Sequence, residues 1–201
     1  MSTLRQSLTA RFVRKLSPRS LWSNRKGVAS IEFAMIAPVM VMMFMGIVEF
    51  SQAITVDRRV NQVASSTADL IARTDSTITG DLNSIMDVVE VLMRPYSDTP
   101  MKVTVSNVIA SSSNASNTVV CWSHNHHGGV NNYSVGDSYT LPTGVVEAGE
   151  SVVVVEVEYA YTPLIFSYFI NGTIDFDDKF YLKPRLSSSI EFNSQKCTPP
   201  A

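Results

Sequence analysis

The longest hydrophobic run of the chain covers residues 28–48 and carries a single charge, that of Glu32. As an α-helix this run would be about 31 Å long, which matches a hydrocarbon core of about 30 Å. A helix that is apolar on every face needs lipid or a large protein core around it, and the rest of the sequence offers no such core. A secretory signal peptide would have a shorter apolar region of about 7–15 residues. The pattern therefore predicts a transmembrane helix over residues 28–50.

Apolar positions recur at helical spacing after this run and predict exported helices over residues 51–95. Residues 74–76 and Gly80 favour a break, because Thr, Asp, Ser and Gly are typical of turns. A second helix is expected to begin near Asp81 and to end at Pro95. Its apolar residues follow the i, i+3, i+4, i+7 rule, so we expect core packing rather than an exposed partner-binding face. They are Leu82, Ile85, Met86, Val89, Leu92 and Met93.

Beginning at Met101, apolar and polar residues alternate strictly, as they do in β-strands. This pattern predicts an antiparallel β domain over residues 96–201. The strongest strand covers residues 152–161, where one face holds Val153, Val155, Val157, Tyr159 and Tyr161. Weaker strands are predicted at residues 101–106, 119–122, 179–182 and 186–192, with polar loops at residues 111–117 and 124–137. Helices followed by antiparallel strands define the α+β class, here with one long N-terminal helix as an anchor.

Charge is distributed unevenly along the chain. Residues 1–27 hold seven of the 16 Lys and Arg residues and no acidic residue, which defines a basic leader. All 18 Asp and Glu residues follow it, against nine basic ones, so the overall charge excludes a nucleic-acid binder. Positive charge before a transmembrane helix keeps that end in the cytoplasm. We therefore expect residues 51–201 to be exported.

The two cysteines, Cys121 and Cys197, both lie in the part of the chain that is expected to be exported. Disulfides form and persist in such compartments. A bond between them would close a loop of about 77 residues and contribute on the order of 4 kcal/mol in the chain-entropy model. Two unrelated buried thiols are the alternative. We expect the disulfide, because it would hold the polar C-terminal tail in place.

Glu32 is unusual because an unpaired carboxylate inside an apolar helix is costly. One explanation is hydration near the lipid headgroups. However, Glu32 is the fifth residue after Gly27, and a basic leader precedes that glycine. This arrangement resembles the type IV prepilin processing signal. The resemblance implies that a prepilin peptidase cuts between Gly27 and Val28, and that Glu32 pairs with the new N-terminal amine of a neighbouring subunit.

A longer stretch is similar to TadE-type minor pseudopilins of the tight-adherence (Flp/Tad) pilus system. The similarity rests on residues 27–34, on Pro38 and on residues 46–50, with a weaker echo at residues 159–164. TadG-like proteins share this anchor but are often larger. The resemblance implies a structural protein with a pilin-like plan, bound to the bacterial inner membrane by a single helix. Its exported domain would help to prime or cap a pilus.

The same resemblance implies roles for individual residues and partners. Gly27 and Val28 flank the peptidase cut, and Glu32 and Phe33 belong to the helix surface that packs in assembly. Pro38 leaves the amide bond to residue 34 unmade, so we expect a kink there that lets the helix bend. The implied partners are a prepilin peptidase, other pilins and pseudopilins, and the inner-membrane pilus assembly machinery.

Other candidates for chemistry are weak. His124, His126 and His127 lie close to Cys121, but they crowd one Gly- and Asn-rich loop, whereas zinc needs three or four convergent ligands. The aspartates within residues 175–178 lack the spacing of a calcium loop and are expected to form a polar turn. No catalytic or nucleotide-binding motif is present in the sequence. We therefore expect no enzyme activity, no metal and no cofactor.

Two other functions remain compatible with the sequence. An unprocessed, single-pass anchored periplasmic module for binding or adhesion would share the topology and would keep Met1 or Ser2 at its N-terminus. An exported enzyme that uses the histidine loop would bind a metal. The N-terminus of the mature protein distinguishes the first alternative from a pseudopilin, and metal content distinguishes the second.

Overall fold

The computed structural model describes residues 27–165, 167 and 172–200, so the predicted basic leader lies outside the described residues except for Gly27. The chain divides into two units, Met1–Val48 and Glu49–Ala201. Helix α1, Val28–Ala72, is the first element and contributes to both units. With 45 residues it is about 68 Å long.

The first part of α1 is apolar on all sides. Its most apolar 18-residue window has a mean hydropathy of 2.2 and no buried residue. Bulky side chains such as Phe33, Met35 and Phe44 are more than half exposed. By length and composition this helix could cross a membrane, as the sequence pattern predicts.

The second part of α1, after Glu49, is amphipathic. Its buried residues repeat at intervals of three and four, so they form one stripe along the helix. They are Val56, Val60, Val63, Ala64, Thr67, Ala68, Ile71 and Ala72. Small residues predominate towards the C-terminal end of this stripe, which allows the helix to lie close to the layer beneath it.

Short elements follow α1 before the main sheet. Strand β1, Ser76–Thr77, leads into helix α2, Thr79–Glu90, and a 3₁₀ turn, Val91–Met93. Helix α2 begins two residues earlier than the sequence predicts, and Gly80 lies in its first turn rather than in a break. The Asp81 carboxylate accepts a hydrogen bond from the Ile78 N–H at 3.2 Å and so satisfies a donor at the helix start. The predicted core packing of this stripe is confirmed, with Leu82, Met86 and Val89 of α2 and Met93 of the 3₁₀ turn buried.

Four strands form the main sheet in the order β3-β2-β4-β5, and all neighbouring pairs are antiparallel. They are β2, Met101–Ala110; β3, Thr118–His126; β4, Ser151–Tyr161; and β5, Ile174–Leu182. The predicted α+β class is therefore confirmed. The alternating face of β4 also lies as predicted, because its odd-numbered residues from Val153 to Tyr161 join the buried cluster that includes α1 and α2.

Sequence reasoning placed three segments wrongly. His124 and His126 lie in β3 rather than in a loop, and the aspartates expected to form a turn before a strand lie within β5. Both are edge strands of the sheet. An edge strand has one unpaired side and tolerates polar residues along its length, so it lacks the apolar alternation that reveals a central strand. The strand expected at residues 186–192 is reduced to β6, Glu191–Phe192, which pairs in parallel with β1.

The segment around β6 is held to the sheet by three kinds of contact. The Ile190 carbonyl accepts hydrogen bonds from the Trp122 indole N–H at 2.8 Å and the Asn107 amide at 3.2 Å. The ring of Phe192 stacks on Trp122 with centroids 5.1 Å apart. Cys121 and Cys197 form the predicted disulfide, with their Cα atoms 5.3 Å apart. Together they fix the C-terminal tail next to β3.

The opposite face of the sheet contains a buried carboxylate, Glu156, which is 1% exposed. The Lys179 ammonium lies 2.7 Å from Oε1, and the Asn131 amide donates to Oε2 at 2.7 Å. The hydroxyls of Tyr139 and Tyr133 donate to the same carboxylate at 2.9 and 3.1 Å. Because each oxygen has several donors, the charge is compensated inside the protein.

These contacts shift the ionisation of the cluster. Burial alone would raise the pKa of Glu156, but the hydrogen bonds from Lys179, Asn131 and Tyr139 outweigh it, and the pKa is lowered. Burial, together with the nearby carboxylate, raises the pKa of Tyr133 to about 12 and that of Tyr139 above its ordinary value. Glu156 is therefore ionised and both phenols are neutral at neutral pH.

We expect Glu156→Gln to lower the free energy of unfolding at neutral pH by about 2 kcal/mol, because hydrogen bonds to a charged acceptor are lost. A lowered pKa gives stability that is present above the unfolded-state value of 4.5 and is lost as the pH falls through the folded-state value. The acid decline of wild-type stability should therefore be shallower in the variant. Urea unfolding of the full chain in detergent micelles at several pH values measures both effects.

Glu158→Gln is the matched control for this prediction. Glu158 is two residues further along the same strand and pairs with Lys102 at 2.8 Å near the surface. Exposed pairs contribute about 0–1 kcal/mol, so this variant should retain the wild-type acid profile. An equal effect of the two substitutions would contradict the role of the buried cluster.

Candidate functional site

The start of α1 holds most of the residues that the sequence analysis selected. Gly27 immediately precedes the helix, and Val28 is its first residue. Glu32 lies one turn further on, so the side chains of Val28 and Glu32 share one face, about 6 Å apart along the axis. Phe33 is 69% exposed. The helix is continuous through Pro38, and the predicted kink stays a prediction.

This region has an exposed, apolar and adaptable surface with one carboxylate in it. The methionines of the segment have flexible, polarisable side chains that adapt to different neighbours, and all are exposed to some degree. They are Met35, Met40, Met42, Met43 and Met45. Among the described residues, Glu32 forms no ion pair. In lipid, such a carboxylate needs a cationic or hydrogen-bonding partner.

A second carboxylate, Glu49, begins the unit Glu49–Ala201 and is only 6% exposed. Its Oε1 atom accepts a hydrogen bond from the Leu164 N–H at 2.6 Å, and its Oε2 atom accepts one from the Ile165 N–H at 2.9 Å. The Tyr161 hydroxyl donates to Oε1 at 3.3 Å. We call these four residues the Glu49 clamp.

The sequence after β4 explains the geometry of the Glu49 clamp. Strand β4 ends at Tyr161, and Pro163 cannot continue the sheet because it lacks an N–H. The chain turns there, and the next two N–H groups, of Leu164 and Ile165, bind the two oxygens of one carboxylate. Successive N–H groups in a turn form an anion-binding concavity. Burial raises the pKa of Tyr161 to about 12, and the charge of Glu49 contributes to the increase. The Tyr161 hydroxyl therefore stays protonated and can donate a hydrogen bond.

The Glu49 clamp joins two segments that stood out separately in the sequence. Residues 46–50 and 159–164 each resembled TadE-type proteins, but they lie more than 100 positions apart. Sequence reasoning assigned no role to Glu49. A signal was available, since Glu49 is the first acidic residue after the apolar run and is followed directly by Phe50. Its buried partner in the turn after β4 could not be identified from spacing alone.

Helix α1 thus combines an exposed apolar segment that could cross a membrane with an amphipathic part that belongs to the α+β unit. The family model for TadE-like proteins matches residues 27–69. The resemblance seen in the sequence is therefore confirmed for residues 27–69, which cover most of α1 and about a fifth of the chain. No curated protein and no solved structure matches the chain. The match does not reach residues 159–164, so the importance of that segment rests on its contacts with Glu49.

We expect Glu49→Gln to lower the free energy of unfolding of the unit Glu49–Ala201 by about 2 kcal/mol, because two charge-assisted hydrogen bonds are weakened. Tyr161→Phe should cost about 1 kcal/mol, since its single bond at 3.3 Å is longer. Chemical denaturation of the full chain in micelles, followed by near-ultraviolet circular dichroism, measures both. Glu32→Gln is the control and should change stability by less than about 0.5 kcal/mol. Equal losses in Glu32→Gln and Glu49→Gln would argue against the clamp.

Proposed function

We propose that this protein is a pseudopilin-type structural component of a tight-adherence pilus and that a prepilin peptidase processes it between Gly27 and Val28. Its action is assembly, not catalysis. The TadE-like match from residue 27 is the observation that carries this proposal. Two features of α1 support it: the helix begins at Val28, and Glu32 lies one turn further along the same face.

Cleavage would expose a new amine at Val28. An N-terminal amine has a pKa near 8, so it is positively charged at neutral pH. Within one chain, Val28 and Glu32 are offset by about 6 Å along the helix axis. Two parallel helices displaced by one turn therefore bring the amine of one subunit beside the Glu32 carboxylate of the next. That ion pair would neutralise both charges in lipid and would set the register between subunits.

The exposed surface of α1 around this pair would provide the packing energy. Phe33 and the methionines supply large, adaptable contacts between parallel helices. Pro38 lacks the N–H for a bond to the carbonyl of residue 34, so bending there costs little when the helix leaves the bilayer. The partners in this proposal are the peptidase, other pilins and pseudopilins, and the inner-membrane assembly machinery.

The proposed topology places the helix in the bacterial inner membrane, with the basic leader in the cytoplasm. The unit Glu49–Ala201 then lies outside the cytoplasm. Two observations support this orientation: the charge asymmetry on either side of residues 28–48, and the disulfide between Cys121 and Cys197. Its exported surfaces would contact other subunits during priming or capping of the fibre.

The first test replaces Gly27 with Leu in cells that assemble the pilus. A leucine side chain beside the scissile bond would displace the backbone in the peptidase site, so cleavage should slow by about a hundredfold. Mass spectrometry of membrane extracts measures the processed fraction and identifies the N-terminus. Wild-type protein should begin at Val28, and Gly27→Leu should retain the leader. Gly46→Leu, the same substitution further along the helix, should be processed normally.

The result also separates a pseudopilin from the unprocessed binding or adhesion module. A wild-type protein that retains its leader in piliated cells would overturn the proposal and favour that module. So would a Gly27→Leu variant that is unprocessed yet supports normal piliation.

The second test concerns Glu32 and keeps processing intact. Glu32→Gln removes the negative charge but little volume, so the peptidase should still cut while the ion pair with the Val28 amine is lost. We expect the number of pili per cell to fall at least about tenfold, because a charged hydrogen-bonded pair in low dielectric contributes more than about 1.4 kcal/mol. Glu32→Asp retains the charge and should assemble better than Glu32→Gln. Electron microscopy counts the pili, and unchanged counts in Glu32→Gln would contradict the register mechanism.

A further inference from the structure

Three metal-ligand side chains converge where the end of helix α2 meets the end of strand β3. Glu90 ends helix α2, His126 ends strand β3, and His127 follows in the turn. The ligand atoms of the three lie within 4.8 Å of one another. Glu90 Oε1 is 2.5 Å from His126 Nε2 and 3.6 Å from His127 Nε2. The His126 and His127 rings have centroids 4.1 Å apart.

These separations suit a tetrahedral ion. Zinc binds imidazole nitrogens and carboxylate oxygens at about 2.0–2.2 Å, so two of its ligand atoms lie about 3.4 Å apart. The two Glu90 distances fall on either side of that value. Movements of less than an ångström in the side chains would equalise them. Two imidazoles and one carboxylate also form a ligand set found in zinc sites that keep a fourth position for water.

The orientation of His127 is already that of a ligand. Its Nδ1 atom lies 3.3 Å from the Met101 carbonyl, which can only accept a hydrogen bond, so Nδ1 carries the proton. In the neutral ring this leaves the lone pair on Nε2, the atom that faces Glu90. A backbone carbonyl that orients a metal-binding histidine in this way is a regular feature of zinc sites.

The turn after β3 holds this arrangement in place. His127 adopts a left-handed conformation with φ 50°, which non-glycine residues rarely do. Gly128 and Gly129 follow with φ 88° and 68°. A Cβ atom at Gly129 would collide with the Asn125 side chain, so this turn requires glycine there. The result is that successive histidines, which would point to opposite faces in a strand, approach the same carboxylate.

We propose that Glu90, His126 and His127 bind one zinc ion through Oε1, Nε2 and Nε2, with water in the fourth position. The ion would link the end of α2 to the end of β3. Zinc fits better than calcium or magnesium, which prefer oxygen ligands throughout. The side chains of Glu90 and His126 are 17% and 15% exposed, and that of His127 is 41% exposed, so the site is sheltered but open on one side. The site does not depend on the proposed pilus function.

The alternative is a simple ion pair between Glu90 and a protonated His126, without metal. Direct measurement of zinc binding decides between them. Full-length protein without a histidine tag, in detergent micelles at pH 7.5, is stripped with EDTA and exchanged into metal-free buffer. Zinc chloride is then added in competition with a chromophoric chelator, and bound zinc is counted by elemental analysis. We expect one ion per chain. The chain has only three histidines, and both cysteines are oxidised, which limits other strong sites.

The variants identify the ligands. His126→Ala and His127→Ala should each weaken zinc binding about a hundredfold, and Glu90→Gln at least about tenfold. His124→Ala is the matched control. His124 lies on the same face of β3 and bonds Asn83 at 2.9 Å rather than Glu90. Its substitution should change affinity by less than about threefold.

Three outcomes would overturn the proposal: wild-type protein that binds less than a stoichiometric amount of zinc, binding that survives in the triple variant of Glu90, His126 and His127, or an equal loss in His124→Ala. X-ray absorption of zinc-loaded wild-type protein gives a readout that does not depend on the folding of any variant. It should show two imidazole nitrogens and two oxygens around zinc. A shell without imidazole would refute the assignment.

Discussion

The contact between the Glu49 carboxylate and the turn after β4 fixes the unit Glu49–Ala201 at its first residue. A carboxylate that is 6% exposed would be strongly unfavourable without donors, but two backbone N–H groups and the Tyr161 hydroxyl supply them. The end of the central strand β4 is thereby joined to the helix surface that carries the core stripe. Any shift of α1 by one residue would remove Glu49 from these donors and also turn Val56 and Val60 out of the core.

Sequence reasoning predicted the elements in which burial of one face makes apolar residues recur at a regular interval. Leu82, Met86 and Val89 repeat at helical spacing because one face of α2 is covered by the core. Val153, Val155 and Val157 alternate because β4 lies between two strands with one face under the helices. The disulfide could be predicted because the chain has two cysteines, which have one possible pairing, and both lie in the segment that the sequence predicts to be exported. The TadE-like segment was recognisable because its glycine and glutamate have fixed spacing.

The features that the sequence did not predict depend on contacts between residues that lie far apart in the chain. Strands β3 and β5 are longer than their apolar residues suggest, because pairing with β2 and β4 extends them along the sheet edges. The partners of Glu49, Glu90 and Glu156 come from other elements, and no spacing in the sequence encodes such contacts. Glu156, for example, is covered by Tyr133 and Tyr139 from the connection between β3 and β4.

The surroundings of two buried carboxylates, Glu49 and Glu156, can be compared with those of Glu32. The charge of Glu49 is stabilised by two backbone N–H groups and the Tyr161 hydroxyl, and that of Glu156 by an ammonium group, an amide and two phenols. Each buried charge thus obtains donors from its own unit, as desolvation requires. Glu32 lies in the exposed apolar part of α1 and has no ion-pair partner among residues 27–165 and 172–200. Under the proposed function, the missing cation is the Val28 amine of a neighbouring subunit. The cost of an unpaired carboxylate in lipid then becomes a driving force for assembly, since association supplies the cation.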